Sequence, residues 1–452
     1  MNTRTRPGRH TGLTHGLAVA CALGLTLSAC SSEEEAGATN LTASDVEAAL
    51  EEGGELTVWS WEPTLEQVAA DFEEAHPNVT VELVNVGTGD EQYTALQNAM
   101  SAEDGLPDVA HIEYFALGQF TIAGHLLDMA PSLTEELEDS YTPGPWEAVQ
   151  GEEGELFALP MDSGPMALFY NQDIFDEHNI EVPETWDEYV EAARALQTAD
   201  PETYILADNG DAGATTSRIW QAGGRPYTVS GDTVIVDFAD EGSEKYAETW
   251  QQLIDEDLLL DVTDWSDEWY QALGDGSVAT LISGAWMGLN LISDVPAGEG
   301  SWRVAPLPQW EEGEEVSAEN GGSALAVPTE SENPALGQAF IEYANAGDGV
   351  QTRIDEGAFP ATVTDLESEE FLETEYEYFG GQKINEIFAE SASNVGEGWE
   401  YLPYQAHANS LFSDTVGQAY VSSVPLTEAL SHWQEASINY GDSQGFSVSP
   451  NE

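Results

Sequence analysis

Five short runs between residues 55 and 112 constrain this chain more than any other feature, because their hydrophobic period switches back and forth. Leu56, Val58 and Ser60 alternate with Thr57, Trp59 and Trp61, the period of two that a strand requires. Leu65, Val68, Ala69 and Phe72 then fall at i, i+3, i+4 and i+7, one face of a helix. Val79, Val81 and Leu83 return to period two. Tyr93, Leu96 and Met100 line another helix that stops before Pro107, and Val109 to Ile112 make a third strand. Strand, helix, strand, helix, strand over so short a stretch demands crossover connections, so a largely parallel sheet in an α/β lobe is expected.

A chain of 452 residues exceeds what one core organises, so a second lobe is expected. Its signals begin after Tyr170. Thr185 with Glu188 forms a capping box, continued by Trp186, Tyr189, Val190 and Ala193 on one helical face. Asn333 and Pro334 start a further helix striped by Leu336, Ala339, Phe340 and Tyr343. Strand-like runs lie at 166–170, 278–282 and 323–327, and no tandem repeat interrupts the body.

Charge narrows the partners. There are 85 Asp and Glu against 10 Lys and Arg, a net charge of -75. Nucleic acid is excluded, since its phosphates need cations, and so is a polybasic membrane patch. The chain is nonetheless 41% hydrophobic, with 13 Trp, 16 Tyr and 14 Phe, enough for a packed core rather than an acidic coil. Scarce Lys with abundant acid suggests a salty habitat in which counterions screen self-repulsion.

Three of the ten basic residues, Arg4, Arg6 and Arg9, precede an apolar run from Leu17 to Leu27. That is a secretory signal over residues 1–29, too short to span a membrane. Leu27-Ser28-Ala29-Cys30 resembles the bacterial lipobox, which implies lipid on Cys30 and a body held at the outer face of the cytoplasmic membrane. Cys21 would leave with the signal, so no disulfide, thiol nucleophile or cysteine metal site is expected. Small and acidic residues over 30–53 read as a tether.

No catalytic motif stands out. HExxH and GxxxxGK[ST] are absent, and the histidines lack metal-ligand spacing, so no metal or cofactor is expected. With so many acids, carboxylate pairs arise everywhere and cannot identify or exclude a glycosidase couple. Aromatic residues say more. Trp59 and Trp61 end the first strand, Glu113 and Tyr114 follow the third, and Trp220, Trp286 and Trp399 adjoin glycines. Ligands of open parallel sheets gather at the carboxyl ends of strands. An aromatic face beside a carboxylate there suits a sugar, whose C–H face stacks while its hydroxyls bond to acceptors.

Several ordered motifs carry a resemblance. Gly54-Glu55-Leu56-Thr57-Val58-Trp59-Ser60-Trp61, Phe72 through Val79, and Pro107-Asp108-Val109 open the series. Asp162 through Asn171, Pro183 through Tyr189, Ser283-Gly284-Ala285-Trp286, Glu319 through Ser323 and Gly357 through Ala361 continue it. Together they resemble the family 1 extracellular solute-binding proteins, the receptors of ATP-binding-cassette sugar importers, and most nearly lipoprotein receptors of high-GC Gram-positive bacteria. The resemblance spans about Gly54 to Phe446. It implies a periplasmic-binding-protein-like (type II) fold: two α/β lobes, 54–161 with 307–360 and 162–306 with 361–452, hinged around a ligand cleft. Crossings are implied near Asp162, Leu307 to Ser317 and Phe359 to Thr364. Cleft residues by similarity are Trp61, Glu62, Glu113, Tyr114, Asp162, Trp286, Asn320, Gly321, Trp220, Trp399 and Tyr404, with Trp286 at a position where the family commonly stacks an aromatic. The implied function is capture of a neutral mono- to oligosaccharide by a monomeric lipoprotein and its delivery to membrane permease subunits, with no bond broken. The alternatives are a secreted glycoside hydrolase, a receptor for another polar solute such as a polyol, and an adhesive lipoprotein.

Overall fold

The structure, a computed structural model, describes residues 41–451 apart from 103, 134 and 152. The signal region and Cys30 lie outside the described residues. The expected tether extends to residue 53, but Ala43–Glu52 is a helix, α1. The Thr42 N–H donates to Asp45 Oδ2 at 2.9 Å, capping its start, and Leu41 and Val46 are buried in the core.

The alternating runs fold as their periods require: β1 (Gly54–Trp59), α2 (Leu65–Ala75), β2 (Val79–Val84), α3 (Asp90–Ala102), β3 (Val109–Glu113) and α4 (Tyr114–Ile122). β1 pairs in parallel with both β2 and β3. A short helix, α5 (Pro143–Ala148), then precedes β4 (Leu159–Pro160). The expected parallel sheet is in fact mixed. Ser323–Ala326 inserts between β3 and β4, antiparallel to both, giving the order β2-β1-β3-(323–326)-β4. The reason is its entry point, for Ser323 pairs with Glu113 at the carboxyl end of β3, so the strand must run back from there.

Beyond the first crossing, β5 (Met166–Asn171) is the centre of an antiparallel sheet flanked by Thr280–Gly284 and Trp302–Ala305. The Thr185 capping box is present, with Thr185 Oγ1 accepting from the Glu188 N–H at 3.2 Å. Among the described residues no helix is long and apolar enough to cross a membrane.

Two bodies emerge from the packing. One core draws on residues from Leu41 to Met161 and from Ala324 to Ala344, with Ala361. The other body holds two adjoining clusters, which draw on residues from Met166 to Ala318 and from Phe359 to Trp433. The chain therefore crosses at 162–165, at 319–323 and near 359–361. Bridges between Asp162 and Pro360 and between Pro165 and Glu319 tie these crossings together. The second crossing lies later than the 307–317 implied by resemblance, because Leu307 and Ala318 are buried with the second body.

Candidate functional site

The first lobe contributes the carboxyl ends of β1 and β3. Trp61 leaves β1 and stacks on His111 of β3 at 3.9 Å between ring centroids, with Tyr93 of α3 against its edge. His111 is buried, and burial together with the Arg353 charge lowers its pKa to about 3, so the platform beneath Trp61 is a neutral ring. Glu62 turns into the next helix, its Oε1 accepting from the Thr64 N–H at 3.2 Å. Glu113 closes β3 and accepts from the Tyr93 hydroxyl at 2.8 Å. Burial raises its pKa to about 7, helped by the charges of Asp162, Asp90 and Asp211. Near neutral pH such a carboxyl can both donate and accept, which suits hydroxyl ligands. Asp162 stands on the first crossing, where its Oδ1 accepts from the Ser323 N–H at 2.6 Å and the Ser323 hydroxyl at 2.7 Å. Burial raises its pKa to about 6.

The second lobe presents Trp286 after the strand Thr280–Gly284, with its Nε1 donating to the Asn320 carbonyl at 2.7 Å. The Asn320 amide donates to Ser217 Oγ at 3.3 Å. Gly321 has φ +83°, and a Cβ there would come within 2.9 Å of Trp286 Nε1, so the close approach of backbone to indole requires glycine. Two neighbours carry no clear mark in the sequence. Asp211 caps the helix Ala212–Gln221 and is near enough to Glu113 for its charge to act across the lobes. Trp265 stacks on Trp286 at 5.6 Å and 26°. Both belong to runs of polar turn-formers, and an aromatic among those residues is the one signal that marks Trp265.

The structure thus brings together Trp61, Glu62, Glu113 and Asp162 on one wall, and Trp286, Asn320 and Gly321 on the other. It places the remaining expected residues elsewhere. Tyr114 donates from its hydroxyl to the Asp162 carbonyl at 2.6 Å and lines a cavity of about 1180 Å3. That cavity lies between α4, α5 and the segments 363–372 and 386–402, and it also holds Glu319, Trp220 and Trp399. Trp220 and Trp399 stack on each other at 4.9 Å and 6°, so each turns one face to the other, and Trp220 Nε1 donates to the Gly396 carbonyl. Tyr404 is buried against Tyr440 and Phe446 and lines neither space, since a residue next to proline proves to be core. Glu319 lines the cavity while the backbone carbonyl of Asn320 meets Trp286, and Tyr401 on the cavity feels the charges of both Glu319 and Glu113, so the cavity adjoins the wall that carries Glu113.

No group of three or more His, Cys, Asp or Glu among the described residues is arranged to hold a metal ion. Residues 59–350, well over half the chain, match the model of the bacterial extracellular solute-binding proteins. The chain belongs to that family. A solute-binding protein of B. animalis subsp. lactis Bl-04, solved with β-1,6-galactobiose, is 43% identical to it. The likeness covers 87% of this chain and 99% of that one, with a TM-score of 0.81. The galacto-N-biose/lacto-N-biose I-binding protein of Bifidobacterium longum, in complex with lacto-N-biose, is 27% identical with a TM-score of 0.77, covering 88% and 99% of the two chains. An arabinooligosaccharide-binding protein of Halalkalibacterium halodurans is 23% identical, covering 70% of this chain and 72% of its own. The two solved solute-binding relatives share the two-lobe α/β architecture seen here.

Proposed function

We propose that this solute-binding protein captures a neutral carbohydrate between its lobes and delivers it to the permease of an ATP-binding-cassette importer. The observation that carries the reading is the 43% identical neighbour, matched along nearly its whole length and solved with a β-1,6-linked disaccharide. The cleft chemistry agrees with it. Trp61 and Trp286 supply aromatic surface, and Glu113, Asp162 and Asn320 supply hydrogen-bonding groups. None of the residues gathered on the two walls is a lysine or arginine, and the buried Arg353 behind them donates to the Met161 carbonyl and is opposed by Asp162 and Glu62, so the walls suit a neutral solute. Ligand contacts from both lobes favour the closed state, which the permease would recognise.

On this reading the chain is a monomer anchored through Cys30 at the outer face of the membrane and breaks no bond in its ligand. Titration calorimetry of the full chain with β-1,6-galactobiose, followed by chromatography of the sugar, tests both parts. Saturable heat with the disaccharide intact is the expected result. Released galactose would establish the hydrolase alternative, and absence of binding across a panel of neutral sugars and polyols would refute the receptor reading.

A further inference from the structure

Trp265 departs from every habit of a structural tryptophan. Among the described residues three large apolar side chains are exposed, and Trp265, at 51%, is the only aromatic one. Its backbone sits at φ +66°, a left-handed conformation that a bulky side chain adopts only where its surroundings enforce it. Those surroundings are specific. The Ser266 hydroxyl donates to the Thr263 carbonyl at 2.7 Å and accepts from the Trp269 N–H at 3.2 Å, which fixes the turn to the helix Asp267–Asp275. Asn209 Nδ2 donates to Thr263 Oγ1 at 3.1 Å, which fixes it to the loop that leads into Asp211. The indole rests on Trp286 at 5.6 Å and on Trp269 at 5.3 Å, with half its surface still open.

The residue before it is equally unusual. Asp264 Oδ1 is buried and has no hydrogen-bond partner. Burial, with the charges of Asp208 and Asp211, raises the carboxyl pKa to about 8. A buried polar atom left unpaired is costly unless something else completes it. An unpaired carboxyl oxygen adjoining an open, rigidly backed indole is the pairing of groups that a pyranose ring needs.

We propose that Asp264 and Trp265 form a carbohydrate subsite on the second-lobe wall of the cleft: the indole stacks on the C–H face of a sugar ring and the Asp264 carboxyl bonds one of its hydroxyls. The proposal rests on the receptor reading and adds the pair that would hold one sugar unit. The ring is neutral, because Asp264 with its raised pKa is protonated near neutral pH and Arg218 is already paired with Asp208, which leaves no free cation for an anionic sugar. Trp286, with its Nε1 committed to Asn320 and Trp265 stacked on it, is then the backing of the platform as much as a contact in its own right.

The test is calorimetry of the full chain with β-1,6-galactobiose, lacto-N-biose and maltose, using wild type, Trp265→Ala, Trp265→Phe and Asp264→Ala. Trp265→Ala should weaken binding of whichever sugar the wild type takes at least tenfold, with the apo melting temperature within about 2 °C because the side chain is exposed. Trp265→Phe should lie between, and Asp264→Ala should weaken binding comparably. Acrylamide quenching gives a second readout: bound sugar should shield wild-type fluorescence more than that of Trp265→Phe. A wild type that binds while Trp265→Ala stays within twofold of it would overturn the subsite alone. A wild type that binds none of these sugars would overturn the receptor reading for them and the subsite with it.

Discussion

Asp208 is the residue whose loss should cost the second lobe most. It is 5% exposed, and its Oδ2 accepts from Arg218 Nη1 at 2.9 Å and from Trp250 Nε1 at 2.9 Å. Its Oδ1 accepts from the Gly210 N–H at 2.8 Å, one residue before Asp211 of the cleft. Arg218 is 4% exposed and sits 4.4 Å from the centroid of the Trp250 ring. A guanidinium cannot shed its proton, so Asp208→Ala leaves an uncompensated buried charge, at a cost of about 3–5 kcal/mol. Unfolding entropy of about 2.1 cal/mol/K per residue over the roughly 400 described residues gives about 0.9 kcal/mol/K, so the melting temperature should fall by about 3–6 °C. Replacing both partners by apolar residues, Asp208→Leu with Arg218→Met, should recover most of that loss, because no charge then remains to be solvated. Scanning calorimetry of the two variants decides the matter. A fall below about 1 °C in Asp208→Ala, or a double variant no more stable than the single, would refute the reasoning.

Three further outcomes are expected from the site and the surface. Glu113, raised to about 7, and Asp162, raised to about 6, bind protons more tightly folded than unfolded. Their contribution to stability is therefore largest below the unfolded carboxylate range and is lost as pH rises from about 4.5 to 7. Melting temperature measured across that window should decline less steeply in Glu113→Gln than in the wild type, and identical slopes would count against the buried-carboxyl assignment. Trp61→Ala should abolish sugar-induced thermal stabilisation while Trp399→Ala keeps it, and the reverse pattern would move the sugar to the cavity lined by Tyr114 and Trp399. With a net charge of -75, the melting temperature should climb between low and molar salt, and a flat profile would remove the case for a saline habitat.

How much of the fold is legible in the sequence depends on the range of each interaction. Period-two and period-3.6 patterning is local, so β1, β2 and β3 with their helices are legible, and with them Trp61 and Glu113 at the strand ends. α1 is not, because the small and acidic composition of residues 31–42 continues into it without a break. Its apolar face, Val46, Ala49 and Leu50, is narrow and finds its value only against the core. Nor is the antiparallel entry of Ser323–Ala326 legible, since strand direction depends on where the chain returns from the other lobe. Trp265 is hidden by its backbone: a left-handed turn is readable when glycine or asparagine marks it and unreadable when tryptophan occupies it.

A harder matter concerns neighbouring residues at the hinge that meet different groups. Glu113 and Tyr114 are adjacent and were expected to share one cleft, and of the adjacent Glu319 and Asn320 only Asn320 was expected to reach it. The strand ends at Glu113 and a helix starts at Tyr114, and Gly321 and Gly322 follow Asn320 at φ +83° and +92°, so neither pair lies within a regular strand that would fix its faces. Glu113 meets Tyr93 and feels Asp211, while Tyr114 lines the cavity with Glu319 and with Tyr401, which feels Glu113 as well. Motif position therefore identifies a crossing, whereas the groups each residue meets depend on how the crossings pack together, as at the bridges of Asp162 with Pro360 and Pro165 with Glu319. Proximity of Trp220 and Trp399 to glycine has the same ambiguity, and the structure stacks the two on each other along the cavity. An aromatic beside a glycine thus marks a turn near the lobes' junction; only the pairing of its faces tells whether a ligand can use it.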